Sequence, residues 1–360
     1  MKKKNILIVS MSAGFGHIRA GDTLLDYAKE NLSQVHAEHI DIFNTNSLFK
    51  DYSKFYDVIS KKIPIIWSLA YKLSDVKPIT FIIKKIARLN IFYSRKTKND
   101  IYQKNPDILI FTIPPPFFSF ALKKMHPNVK IGVVITDYYA HKYYQFPFID
   151  YYFVANDEVS KNLEKIGVKK EKIIISGIPV NPRFYIKEDI EKLKSEYSVN
   201  NGLSIVLCIA SFKISKKDLV FLVRQLLNFN PKINVIFIAA GKKVFYDLIS
   251  RNFSGDERLS IVNWTNTMEE YIKISDVVIS KAGGLTVSEC LAIKKPMIII
   301  NPIPGQEEHN AEFVERIKMG VRVKNIRNVT KILPKLISSN NKNVTLQKNP
   351  SKKIFQVLLK

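Results

Sequence analysis

Ser280-Lys281-Ala282-Gly283-Gly284-Leu285-Thr286-Val287-Ser288-Glu289, with Asn301-Pro302-Ile303-Pro304-Gly305-Gln306-Glu307-Glu308-His309-Asn310 shortly after it, is the stretch on which the fold turns. Each half follows a short apolar run, 277–279 and 297–300, of the length and composition of a buried strand. Each half therefore begins where a strand ends and a helix starts, the edge at which open α/β sheets bind ligands. Gly283 and Gly284 let backbone approach a ligand closely, and a helix starting near Thr286 aims free amides at a phosphate. Glu289, Gln306 and Glu307 offer side-chain partners for the hydroxyls of a sugar or ribose. The same letters also read structurally. Thr286-x-x-Glu289 after a glycine pair is a capping box, with Thr286 as N-cap and Glu289 at N3, and Pro302-x-Pro304-Gly305 is an ordinary loop. Both halves in order, each at a strand end, favour the ligand edge.

Working outward, apolar runs at 205–209, 235–239 and 260–262 join these two strands in one alternating series, with helices between them. That pattern predicts a parallel sheet with right-handed crossovers. A second series precedes it, with strands at 5–10, 107–112, 130–136 and 173–175 and helices at 17–30 and 157–167. Gly177-Ile178-Pro179-Val180-Asn181-Pro182 between the series reads as a hinge, and the charged stretch 187–201 as a helix and turn. Three segments result: 1–185, 186–330, and a basic tail 331–360 that ends in an apolar helix near 354–359.

Length agrees with this division, because 360 residues exceed one ordinary domain and a 46% hydrophobic content is enough for two cores. The formal net charge of +24 implies attraction to anionic surfaces such as membrane, nucleic acid or phosphorylated substrates, although the lysines are widely scattered. No helix-turn-helix, RRM-like or zinc-finger pattern supports nucleic acid as the partner. Cys208 and Cys290 lack metal-ligand spacing and read as reduced core cysteines. The run 6–9 behind Lys2-Lys3-Lys4 is too short for a signal peptide, and Pro114-Pro115-Pro116 breaks the longest apolar stretch, 108–122. The expectation is a soluble or peripheral protein.

Three further features carry chemistry. In the turn Gly14-Phe15-Gly16-His17, Arg19 stands where a dinucleotide fingerprint needs its third glycine, so that fingerprint is not supported. His17 would sit at a helix N-terminus facing the crevice, or else be a structural or solvent-exposed histidine. Asp137, in Thr136-Asp137-Tyr138-Tyr139-Ala140-His141, sits at the end of a strand, within reach of a bound hydroxyl. Ile65, Ile66, Trp67 and Tyr71 lie upstream of a basic run containing Lys84, Lys85 and Arg88. This arrangement suits a membrane interface, and equally a core-packed helix pair with a solvated basic face.

Taken together, Ser12-Ala13-Gly14-Phe15-Gly16-His17, Thr136-Asp137-x-x-x-His141, Asp150-x-Tyr152-Phe153-Val154, Gly177-Ile178-Pro179-Val180-x-Pro182, Ser280 to Thr286 and Asn301 to Glu307 resemble one family. It comprises the monogalactosyldiacylglycerol synthases and processive diacylglycerol glucosyltransferases, related to the peptidoglycan GlcNAc transferase. The matching motifs run in family order over roughly residues 5–320. The resemblance implies a GT-B fold: α/β, with two Rossmann-like domains whose parallel sheets face a central cleft. Segment 1–185 would take the lipid acceptor and the membrane, and 186–330 the nucleotide sugar. The implied activity is transfer of a hexose from a UDP-sugar to diacylglycerol with inversion, without a metal, on the cytoplasmic face of the cell membrane.

By the same resemblance Glu289 would hold ribose hydroxyls, Gly283 and Gly284 with Thr286 the diphosphate, and Gln306 and Glu307 the donor sugar. Gly14, Gly16 and His141 would line the acceptor and phosphate side. His17 and Asp137 are the candidate bases, with His17 favoured because its ordinary pKa suits the task and Asp137 as the group that orients it. One departure stands out. The family opens its C-terminal domain with a glycine-rich loop, whereas this chain has Ile209-Ala210-Ser211-Phe212-Lys213-Ile214-Ser215-Lys216, where Ser211 and Lys213 would substitute through side chains. A UDP-GlcNAc transferase, a UDP-sugar epimerase and a non-catalytic sugar-nucleotide binder at the membrane surface are the alternatives on the same fold.

Overall fold

The computed structural model describes residues 3–12, 15–42, 73–74, 95–115, 118–199, 204–209, 212–338 and 349–360. The chain divides into two compact units, Met1–Pro182 with Pro304–Gln306 and Gln347–Lys360, and Arg183–Ile303 with Glu307–Leu346. Each contains a six-stranded sheet in which every pairing is parallel.

The first sheet uses β1 (Lys4–Ser10), β2 (Val35–Asp41), β3 (Ile108–Phe111), β4 (Lys130–Val134), β5 (Tyr151–Val154) and β6 (Ile173–Ile175), in the order β2-β1-β3-β4-β5-β6. Among the described residues its helices include α1 (Phe15–Asn31), α2 (Arg95–Gln103), α3 (Phe118–Met125) and α4 (Asp157–Lys165). Inner parallel strands are covered on both faces, and Ile6, Leu7, Ile8 and Val9 of β1 are accordingly all buried. Edge strand β2, Val-His-Ala-Glu-His-Ile-Asp, lacks such an apolar run, and for that reason its sequence did not announce a strand. From β1 the chain crosses first to β2 on one side and later to β3 on the other, so a topological switch lies between β1 and β3.

The second sheet uses β7 (Ser204–Ile209), β8 (Ile233–Ile238), β9 (Leu259–Val262), β10 (Val277–Ser280), β11 (Met297–Ile300) and β12 (Gly320–Val323), in the order β12-β11-β10-β7-β8-β9. This is the doubly wound order of dinucleotide-binding folds, with its switch between β7 and β10. The helices are α5 (Ile190–Glu196), α6 (Lys216–Leu227), α7 (Lys243–Asn252), α8 (Met268–Ile274), α9 (Gly284–Ala292), α10 (Gln306–Arg316) and α11 (Val329–Ile337). On α6, Leu219, Leu222, Val223 and Leu226 are buried at helical spacing and form one stripe against the core around Val235, Phe237 and Ile279.

The segment read as one tail over 331–360 is two things. Helix α11 buries Val329, Leu333 and Leu336 in the second core. The last helix, α12 (Pro350–Leu358), belongs to the first unit and buries Ile354, Phe355 and Leu358 in the core that contains Leu24, Tyr27 and Val134. Phe355 stacks on Tyr27 with ring centroids 5.7 Å apart. Lys4 Nζ donates to the Leu359 carbonyl and Lys130 Nζ to the Leu358 carbonyl, both at 3.2 Å, which satisfies acceptors that a helix end leaves open.

The first unit's long segment ends at Pro182, ahead of the junction expected after 185. Lys273 of α8 accounts for this. Its buried Nζ donates to the Arg183 carbonyl at 2.8 Å and to Glu188 Oε2 at 2.9 Å, fastening 183–188 to the second unit. Both cysteines are free and buried, and burial pushes the Cys208 thiol up to about 12. Among the described residues no helix is long and apolar enough to cross a membrane.

Candidate active site

At the carboxyl end of the first sheet's switch point the chain gathers around His17, the third residue of α1. Its Nδ1 lies 2.7 Å from the Thr112 carbonyl, just beyond β3, and 3.0 Å from Thr136 Oγ1, just beyond β4. A carbonyl only accepts, so Nδ1 carries the hydrogen and Nε2 holds the lone pair. Nε2 has no hydrogen-bond partner among the described residues. Burial pushes the imidazole below its ordinary value, opposed by the negative charge of Asp137 and by the bond to the Thr112 carbonyl. The result is a neutral, half-buried base of fixed tautomer.

Asp137 acts on His17 through its charge, and the same charge adds to the burial that pushes the Tyr144 phenol up. His141 is buried, its Nδ1 accepts from the Tyr143 amide at 3.2 Å, and its Nε2 lies 3.1 Å from Ser74 Oγ. Asp150 is bonded to Lys123 Nζ at 2.9 Å and to the Ile131 amide at 2.8 Å. Gly16 lies in the first turn of α1. Gly14, Ile65, Ile66, Trp67, Tyr71, Lys84, Lys85, Arg88 and Ser211 fall outside the described residues.

In the second unit the turn between β10 and α9 corrects the capping-box reading. The N-cap is Gly283, in an extended conformation and without a side-chain cap, so α9 starts before Thr286, which sits in its first turn. The tertiary contact that imposes this is Asn310 of α10, fully buried, whose Nδ2 donates to the Ala282 carbonyl at 2.9 Å. First-turn amides left without a side-chain cap are the donors an anion needs.

Around the vacant Cβ position of Gly283 converge Glu307 Oε1, Thr286 Oγ1 and Lys281 Nζ, at 3.7, 3.8 and 3.9 Å. Glu307 is buried. It pairs with Lys281 through Oε1 and accepts from the Ile303 amide at 2.9 Å through Oε2, which closes the Pro-Ile-Pro-Gly loop. Lys281 was not expected as a site residue, although it stands inside the quoted motif. Glu289 is buried in α9, and Gln306 begins α10 with its side chain outside the described residues.

Lys213 is exposed in the glycine-free loop after β7. Asn301 Nδ2 donates to its carbonyl at 2.7 Å and Lys242 Nζ to the carbonyl of buried Phe212 at 3.3 Å. That loop is therefore held by side chains from the residue after β11 and from the N-cap of α7. Among the described residues no group of three or more His, Cys, Asp or Glu side chains forms a metal cluster.

Comparison with known proteins agrees with these two halves. The family model described as Monogalactosyldiacylglycerol (MGDG) synthase matches residues 17–180, and that of the Glycosyltransferase family 28 C-terminal domain matches 215–360. The chain is 28% identical over 319 residues to a processive diacylglycerol beta-glucosyltransferase of Staphylococcus saprophyticus, spanning 87% of this chain and 80% of that one. Among solved structures, a putative UDP-N-acetylglucosamine 2-epimerase from Listeria monocytogenes superposes with a TM-score of 0.62 at 12% identity, over 99% of this chain and 95% of that one. A UDP-GlcNAc 2-epimerase from Neisseria meningitidis bound to UDP-GlcNAc gives 0.59 at 13% identity, over 99% of both chains. At such identities these two structures speak to the fold alone, and the fold is that of the GT-B enzymes. Each of its two parts thus matches a glycosyltransferase family model, a monogalactosyldiacylglycerol synthase domain first and a family 28 C-terminal domain after it.

Proposed function

We propose that this chain transfers a hexose from a UDP-sugar to the free hydroxyl of diacylglycerol with inversion, working peripherally on the cytoplasmic face of the membrane. The observation that carries the reading is the fixed tautomer of His17, whose Nδ1 hydrogen is held by the Thr112 carbonyl. Nε2 then takes the acceptor's proton as its oxygen bonds to the anomeric carbon, and the bond from that carbon to the diphosphate breaks with the electron pair leaving on UDP. Asp137 stabilises the imidazolium that forms. Departing negative charge meets the uncapped amides of α9 and the ammonium of Lys281, a preorganised electrostatic arrangement that needs no metal. Glu307, Gln306 and Glu289 hold the donor's hydroxyls, and Gly283 admits the diphosphate.

The test is incubation of the purified chain with diacylglycerol vesicles and a panel of UDP-sugars, with and without EDTA, followed by mass spectrometry of the lipids. The expected product is a monohexosyl- or oligohexosyl-diacylglycerol whose formation EDTA leaves unchanged. No glycolipid from any donor sinks the transferase reading. Vesicle-independent interconversion of UDP-sugars would make the chain an epimerase, and UDP-sugar binding without turnover a non-catalytic binder.

A further inference from the structure

Beneath His17 lies a second set of polar side chains that the proposed chemistry does not use directly. His39, on edge strand β2, is 7% exposed at its side chain, and both ring nitrogens are engaged. Its Nδ1 lies 2.8 Å from Asp22 Oδ1 of α1, and its Nε2 lies 2.7 Å from Ser10 Oγ at the end of β1. Since a carboxylate only accepts, Nδ1 donates to Asp22 and Nε2 is the nitrogen left for Ser10. Ser10 is fully buried, and its Oγ also lies 2.8 Å from Thr112 Oγ1 and 3.1 Å from the His17 carbonyl, neighbours among which its single hydrogen serves one at a time. Thr112 Oγ1 also donates to the His17 carbonyl, at 3.1 Å. Thr112 thus grips His17 twice, by its hydroxyl on the main chain and by its carbonyl on the ring.

Gly21 supplies a separate observation. A glycine inside a helix costs stability relative to alanine and so calls for a reason. A Cβ at Gly21 would lie 2.4 Å from His39 Nε2 and 2.5 Å from Ser10 Oγ, on top of the hydrogen bond between them. Helix α1 therefore carries a notch at the point where the His39–Ser10 contact passes. Packing alone would be served as well by an apolar residue at 39, with no notch opposite it.

We propose that Asp22, His39 and Ser10 form a positioning chain for His17, running beneath the notch at Gly21 and ending on the Thr112 and His17 groups that set the orientation of the imidazole. These three are positioning residues, since none of them touches a reacting atom. The inference rests on the reading of His17 as the base, and the experiment separates the two.

Ser10→Ala removes one buried oxygen, and Asp22→Asn alters an exposed carboxylate without disturbing the core. Both are expected to lower kcat about 10- to 100-fold, the scale of a small misplacement of a reacting group, with KM for the UDP-sugar unchanged. Nitrogen-15 NMR is expected to show His17 leaving the pure Nδ1–H tautomer in both variants. His39→Ala is expected to behave likewise, and His39→Gln, which keeps a polar terminus near the place of Nε2, to recover part of the rate. A wild-type rate and an unchanged His17 tautomer in Ser10→Ala and Asp22→Asn overturn the chain. His17→Ala at the wild-type rate overturns the base instead, and the tautomer measurement still reads the positioning of His17 in that event.

Discussion

At the scale of single residues, His17 serves as a base only because one of its nitrogens is already committed. The Thr112 carbonyl holds Nδ1–H, and burial keeps the ring neutral at pH values where a free imidazole would be partly charged. The sign of the pH dependence follows. The lowered value places the acid limb of kcat/KM below 6.5, with activity rising through it as the ring loses its proton. Asp137 opposes the lowering, so Asp137→Asn leaves burial less opposed and is expected to move the limb to still lower pH. A pH–rate profile of both proteins checks this, and a limb that rises in the variant contradicts it. Much of this half of the site was legible, because His17, Thr136 and Asp137 stand in motifs. Thr112 was not, since it contributes a main-chain carbonyl, which every residue type possesses. Asp150 shows the converse, since it stands in a motif and ties Lys123 and the Ile131 amide together.

At the scale of elements, the start of α9 shows tertiary contact overriding local preference. Threonine is a favoured N-cap, yet Asn310 fixes the Ala282 carbonyl and the helix begins at Gly284. The consequence is chemical as well as structural, because a threonine cap would have consumed an amide that now stays available. Helix α12 is the other element whose role sequence left open. Its stripe of Ile354, Phe355 and Leu358 needed an apolar partner and found one in Tyr27 and its neighbours. Phe355→Ala is expected to destabilise the chain by about 3–5 kcal/mol, the usual cost of emptying a buried aromatic site. Denaturant unfolding followed by tyrosine fluorescence measures it, and a loss below about 1 kcal/mol shows that α12 does not hold the first core.

For the whole molecule, the property that matters is net charge, with its lysines scattered along the sequence. A net +24 on a chain whose proposed acceptor resides in a membrane predicts binding to anionic vesicles driven by long-range attraction. Sedimentation with such vesicles is expected to fall steeply between about 0.1 M and about 1 M salt, as the Debye length shrinks from about 10 Å to about 3 Å. Sedimentation that ignores salt assigns the contact to apolar insertion instead.

Sequence alone determined that there are two parallel sheets, because inner strands of such sheets are covered on both faces and so appear as unbroken apolar runs. It also located the ligand edge of each, because glycine and polar motifs follow those runs directly. Only the tertiary structure decided which nitrogen of His17 is free, that Lys281 and Glu307 pair beside Gly283, that Gly21 makes room for a hydrogen bond, and that α12 completes the first core. Each of these is a contact between groups far apart in the chain, and spacing along a sequence encodes direction and periodicity but not which distant partner a side chain will meet.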